Sequence, residues 1–193
     1  MTKRILKVAA LQEKAMPRAT IKEKMEQRTL PLIEEAAKKG AQIILATELC
    51  TTDYDRCYGA KDNDLFKEAE TIPGYSTNEV AKLCKKHGVY VIFPLFEKAV
   101  PGVYYNSSAT IGPDGSIVGT YRKTQVAGVQ ALEKMYFRAG QDFKVHETVF
   151  EPNAKFGTII CHDRRYPETS RILAMLGAEV MFCPTAAPGY AHG

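Results

Sequence analysis

The chain has 193 residues, 45% hydrophobic and 25% charged, the balance of a globular protein of single-domain size. Its net charge of +4 is small and dispersed: Lys38-Lys39, Lys85-Lys86, Arg122-Lys123 and Arg164-Arg165 lie far apart with no aromatic-interleaved basic stripe, which argues against nucleic acid or a membrane surface as partner. No apolar run approaches bilayer length, the N-terminus shows no signal-type apolar core, and five cysteines without a CxxC or zinc-type spacing predict reduced thiols, a cytoplasmic setting and no metal.

In chain order, Lys7 to Leu11 reads as a strand. Ile21 to Lys39 carries apolar residues at helical spacing between Thr20, a cap, and Gly40, a stop. Gln42 to Leu49 is a buried-type strand, and Asp53 to Ile72 an irregular excursion holding a short helix. Thr77 to His87 is a helix ended by Gly88. Strands follow at Val89 to Lys98, Tyr104 to Ile111 and Ile117 to Lys123, the last two joined by a Gly-Pro-Asp-Gly turn. Val126 to Gln141 is a loop with one helical turn. Val145 to Phe150 and Lys155 to Ile160 form a strand pair, Pro167 to Leu176 a helix opened by proline, and Glu179 to Pro184 a last strand. Alternating helices and strands, mixing long crossovers with hairpins, predict an α/β layered sandwich.

Three polar groups interrupt apolar strand ends: Glu48 after Ile43-Ile44-Leu45-Ala46, Lys123 after Gly119-Thr120-Tyr121, and Cys161 after Thr158-Ile159-Ile160. Singly, each has an ordinary structural explanation, as a solvated charge or a small buried hydrophobe. Together they make a workable nucleophilic set. A thiol needs a proton acceptor or a nearby cation; Glu48 supplies the first and Lys123 the second, with the Lys123 charge also placed to stabilise an oxyanion. The His162 N–H, close to the start of the following helix, is a second oxyanion donor. Glu133 is a candidate second carboxylate that keeps Lys123 charged. A Cys–His pair is disfavoured: His162 adjoins Cys161 and in extended chain points the other way, His87 reads as a helix end and His192 as a tail.

The segments ATELCTTDY around Glu48, YRKTQV around Lys123, EKMYFRAGQDF from Glu133 and GTIICHDRRYPE around Cys161 resemble those of the nitrilase, or carbon–nitrogen hydrolase, superfamily. YNSSATIGPDGSIVGTYRK is similar to the strand–turn–strand that leads into that family's lysine. The resemblance spans Leu6 to about Ala187 with every motif in family order. It implies an α-β-β-α sandwich with mixed sheets, one domain over residues 1–193 that lacks the family's C-terminal part, and a homo-oligomer covering the open sheet edge. It also implies Cys161 as nucleophile, Glu48 as base, Lys123 as oxyanion stabiliser and Glu133 as positioning group, with no cofactor.

CHDRRYPE with LEKMYF upstream looks most like the N-carbamoyl-D-amino-acid hydrolase branch, which carries paired arginines after its cysteine. Arg164 and Arg165 are therefore candidates to grip a substrate carboxylate, unless they pair internally with Asp163 or Glu168. Tyr54, His162 and Thr185 are further candidates to line the substrate pocket. Three features depart from the branch: Gln125 replaces a frequent histidine, the loop from Lys123 to Glu133 is short, and His162 stands where asparagine is usual. The leading expectation is an N-carbamoyl-amino-acid amidohydrolase acting on a small molecule. The alternatives are an aliphatic amidase or N-carbamoyl-amine hydrolase, and, from another class, a catalytically silent association module.

Overall fold

Thr20 opens the first helix with a reciprocal cap: its hydroxyl accepts the Glu23 N–H at 3.2 Å while the Glu23 carboxylate accepts the Thr20 N–H at 2.7 Å. Such a cap contributes on the order of 1 kcal/mol. The computed structural model describes residues 4–17, 19–58, 60–128 and 131–186. Sequence periodicity predicts one uniform helix from Ile21 to Lys39. The structure instead runs from Ile21–Lys24 (α1) through a π-helical segment, Met25–Thr29, into Leu30–Lys38 (α2). Pro31 supplies the reason. It has no N–H and its ring crowds the carbonyl four residues back, so the ladder widens and the Leu30 N–H donates to the Met25 carbonyl.

Val8–Ala10 (β1), Ile43–Leu45 (β2), Tyr90–Val100 (β3), Val103–Ile111 (β4) and Ile117–Arg122 (β5) form a five-stranded sheet in that order. β1, β2 and β3 are parallel, and β3, β4 and β5 pair antiparallel. Tyr75–His87 (α3) leads into β3 and is closed by Gly88 at φ +66°, a left-handed position that glycine fills without strain. Val145–Glu147 (β6), Lys155–Thr158 (β7) and Val180–Phe182 (β8) form a second sheet. Pro167–Met175 (α4) is the crossover that makes β7 and β8 parallel.

Strand alternation sorts the core into layers. Ile44, Val91, Phe93 and Ile111 face the helices and pack with Met25, Ile33, Val80 and Cys84. Their neighbours Ile43, Tyr90 and Ile92 face the second sheet and pack with Phe156 and Phe182. The ring centroids of Tyr90 and Phe156 lie 5.5 Å apart, and those of Phe156 and Phe182 5.9 Å. A Cβ on Gly157 would come within 2.8 Å of Leu173, so α4 lies close against the outer face of β7. The order helices, sheet, sheet, helix is the α-β-β-α sandwich implied by the sequence. Among the described residues no helix is long and apolar enough to cross a membrane.

Several strands are shorter than periodicity predicts. Gln42 to Leu49 shrinks to Ile43–Leu45, after which the chain turns and Leu49 adopts φ +51°. Lys155 to Ile160 ends at Thr158, and a 3-10 turn over Cys161–Arg165 follows. Both truncations free a candidate reacting side chain, Glu48 or Cys161, from the regular up-and-down alternation of a strand.

Candidate active site

Each candidate reacting group stands just past a strand. Glu48 follows β2, Lys123 follows β5 and Cys161 follows β7. Glu48 and Lys123 belong to the five-stranded sheet and Cys161 to the three-stranded one, so the site straddles the seam between sheets. Among the described residues, the left-handed non-glycine positions are Leu49 at φ +51° and Cys161 at φ +45°. That conformation costs about 1–3 kcal/mol per residue and persists only where the surroundings enforce it. Here it occurs in the two turns that deliver Glu48 and Cys161.

Lys123 is fully buried, with Nζ 2.8 Å from Glu48 Oε1 and 2.8 Å from Glu133 Oε1. Each carboxylate takes one further side-chain donor and one backbone donor. Glu48 accepts from Asn106 Nδ2 at 2.9 Å and the Ala186 N–H at 2.9 Å. Glu133 accepts from the Tyr54 hydroxyl and from the Ala127 N–H at 3.3 Å. Burial works against the Lys123 charge, but the two carboxylates overcome it and raise its pKa above the usual lysine value. Burial, only partly offset by Lys123 and reinforced by Glu133, raises the Glu48 pKa. The Cys161 thiol is pushed up to about 12 by burial first and the Glu48 charge second, with a hydrogen bond to Glu48 among the causes. Both effects favour the neutral thiol over the thiolate.

Asp163, fully buried, ties the thiol-bearing turn to the end of the lysine strand. Its carboxylate accepts from the Tyr121 hydroxyl at 2.7 Å, Thr124 Oγ1 at 3.1 Å, the Gln125 N–H at 2.7 Å and the Ile160 N–H at 2.8 Å. Gly140 backs the same strand: its N–H donates to the Lys123 carbonyl at 2.9 Å, and a Cβ there would lie 2.2 Å from the Arg122 carbonyl oxygen.

The pairing of Arg164 or Arg165 with Asp163 or Glu168, considered from sequence, does not occur among the described residues. Arg164 Nη1 instead donates to the Cys161 carbonyl at 3.0 Å and Thr185 Oγ1 at 3.2 Å, and lies 3.6 Å from Cys161 Sγ. Arg165 is exposed. His162 is disfavoured as the thiol's base for a different reason than the sequence offers. Residues 161–165 form a tight turn rather than extended chain, and the His162 ring packs edge-on against Tyr166, with Nε2 3.5 Å from its hydroxyl. His192 lies outside the described residues.

A cavity of about 460 Å³ opens beside Glu48, walled by Tyr54, Asp55, Tyr58, Thr185 and Ala186 among others. Of the candidate substrate contacts, Tyr54 and Thr185 line it, and Arg164, which donates to Thr185, His162 and Arg165 are not part of the described wall. Tyr54 is 9% exposed with its hydroxyl committed to Glu133, so it is both a cavity wall and a support for the site. Glu13, Arg28 and Asp53 in the same wall belong to a second ion cluster. Lys24 meets Asp53 at 3.1 Å and Glu68 at 3.5 Å, and Arg28 meets Glu13 and Asp53 at 3.5 Å.

Sequence reasoning missed Asn106, Asp163 and the Lys24–Arg28 cluster. A usable signal existed for the first. Asn106, Ser107 and Ser108 are consecutive polar residues inside a strand, and all three are fully buried. Buried polar groups need partners, so such a run marks a place where the core faces something polar.

Residues 7–192 match the family model described as carbon-nitrogen hydrolase. The chain is 40% identical over 158 residues to an N-carbamoylputrescine amidase of Arabidopsis thaliana, covering 80% of this chain and 51% of that protein. It is 34% identical over 162 residues to an omega-amidase of Xenopus laevis, covering 80% and 55%. Among solved structures it is similar to a carbon-nitrogen hydrolase from Helicobacter pylori G27, with TM-score 0.81, 30% identity and 94% of this chain against 60% of that one. The chain thus spans about half the length of the curated relatives it matches.

Proposed function

The chain belongs to the carbon–nitrogen hydrolase family, and on that premise we propose that it is an amidohydrolase of small molecules with Cys161 as nucleophile, Glu48 as general base, Lys123 as oxyanion cation and Glu133 as the group that holds Lys123. The observation that supports this reading is the buried set itself: one ammonium 2.8 Å from two carboxylates, one of which lies near enough to the Cys161 thiol to raise its pKa. Glu48 takes the proton from Cys161 as sulfur attacks the carbonyl carbon. Two Lys123 protons are engaged by the carboxylates, leaving the third for the oxyanion. The His162 N–H, which has no acceptor among the described residues, is the second donor. Collapse of the tetrahedral carbon breaks the C–N bond, and Glu48 returns the proton to the departing amine. Water, deprotonated by Glu48, then cleaves the thioester and regenerates the thiol.

For the substrate, an N-carbamoyl amino acid is the reading favoured by the Arg164 guanidinium, which lies next to the sulfur and uses Nη1 internally while its other nitrogens remain for a carboxylate. A carbamoyl amine is favoured by a different observation, the exposed Asp55 on the cavity wall, whose charge suits an ammonium tail. A substrate panel with Arg164→Ala and Asp55→Asn separates them. The first variant raises KM for carboxylate-bearing ureas only, or the second raises KM for amine-bearing ones only. The shared chemistry is tested by mass spectrometry of the chain during turnover. An acyl or carbamoyl adduct on Cys161 is expected in wild type and in Cys50→Ala; turnover that survives Cys161→Ala would overturn the assignment.

A further inference from the structure

Asn106 stands on β4 with no exposed surface. It touches both halves of the charged pair. Its backbone carbonyl accepts the Lys123 N–H at 2.9 Å, and its side-chain Nδ2 donates to Glu48 Oε1 at 2.9 Å. That oxygen is the same one that Lys123 Nζ reaches at 2.8 Å. The amide can face Glu48 in only one sense, because the flipped rotamer would set its oxygen against a carboxylate oxygen. In the observed sense Asn106 Oδ1 is buried without a hydrogen-bond partner among the described residues. A buried acceptor without a protein partner carries a cost. The cost is tolerated where the other end of the amide makes a bond of greater consequence.

We propose that Asn106 is a positioning residue that fixes Glu48 Oε1 onto Lys123 and favours the ionised form of Glu48, so that the carboxylate is a competent proton acceptor for Cys161. A neutral amide is suited to this. It donates to a carboxylate without adding charge, whereas a second lysine would neutralise the base and a hydroxyl could donate or accept. The inference rests on the assignment of Glu48 as base. Lys123, Glu133, Cys161, Tyr54, Tyr58 and Cys57 are the other titratable groups within the electrostatic reach of Glu48. Asn106 is the side-chain donor among its partners that does not titrate.

The test reads Cys161 directly and needs no knowledge of the substrate. The rate of alkylation of Cys161 by iodoacetamide is followed against pH by intact mass, with Cys161→Ala as the blank. Wild type is expected to show an acid limb set by Glu48, and Glu48→Gln to lose it. Asn106→Leu is expected to move the limb upward by about one pH unit, the worth of one hydrogen bond to a charged group. Asn106→Ser, too short to reach Glu48, gives the same shift with less disturbance should the leucine variant fail to fold. Ser107→Ala, on the same strand but bonded to Glu97, leaves the limb in place. A limb unmoved in folded Asn106→Leu or Asn106→Ser, with Glu48→Gln still abolishing it, overturns the role of Asn106 alone. A limb that survives Glu48→Gln overturns the assignment of the base.

Discussion

Two buried ion clusters flank the segment that runs from Glu48 to Tyr54, and they are built differently. In the one around Lys123, the two carboxylates take an ammonium, a side-chain donor and a backbone N–H each, and the ammonium contacts are both 2.8 Å. In the one around Lys24 and Arg28, the ion pairs run from 3.1 to 3.5 Å. There Arg28 Nε, Asp53 Oδ2 and Glu68 Oε2 have no hydrogen-bond partner among the described residues. Neutralising charge is enough to hold the second cluster in place. The first is closed by more donors at shorter range, the arrangement that a proton acceptor of defined position would need. Burial first, and the second carboxylate sharing the one ammonium after it, raise the basicity of Glu48.

The largest expected effect separates the clusters outright. Glu48→Gln should lower kcat/KM by about 10³-fold or more while the melting temperature holds or rises, since the variant removes a base and an unmatched buried charge together. Steady-state kinetics beside calorimetry decides it; a parallel fall in both would mean that the two clusters serve the same structural purpose. Lys24→Met should do the reverse. It takes one cation from Asp53 and Glu68, which keep Arg28 and Arg56, and should cost about 1–3 kcal/mol in denaturant unfolding, with kcat per folded molecule within a few-fold of wild type. A smaller effect sharpens the contrast through pH. Burial holds the Glu48 pKa above its unfolded value, so between those two values the folded chain binds the extra proton. Stability therefore falls as pH rises through that window, while kcat/KM climbs through it because the base becomes ionised. The two slopes oppose each other, and both should flatten in Glu48→Gln. The smallest effect is at the surface: Lys39→Ala, which loses an exposed pair with Glu35, should change unfolding by about 0.5 kcal/mol or less.

How far this was legible from sequence depends on the distance over which each feature is determined. The strands that carry Glu48, Lys123 and Cys161 follow from local apolar runs, and the capped helix from Thr20 and Glu23. The turns that present those side chains do not, because the left-handed backbone at Leu49 and Cys161 is imposed by contacts from elsewhere, such as the Cys161 N–H donating to the Pro184 carbonyl at 2.9 Å. Lys24 and Arg28 lie one helical turn apart and read as an ordinary solvated face. Only the fold places Glu13, Asp53 and Glu68 over them. The fate of Arg164 was equally out of reach. Sequence offered it a nearby acid or a substrate, and the structure gives it a carbonyl, a sulfur and Thr185.

The seam between the sheets has a consequence for how the interior can vary. Sulfur arrives on one layer, carboxylate and ammonium on the other, and the rings of Tyr90, Phe156 and Phe182 pack where the two layers meet. Those rings act as a shim. Thinning it, as Phe156→Leu would, should let the layers settle against each other, and the proposed transfer from Cys161 to Glu48 is then expected to slow in steady-state kinetics while circular dichroism still reads a folded chain.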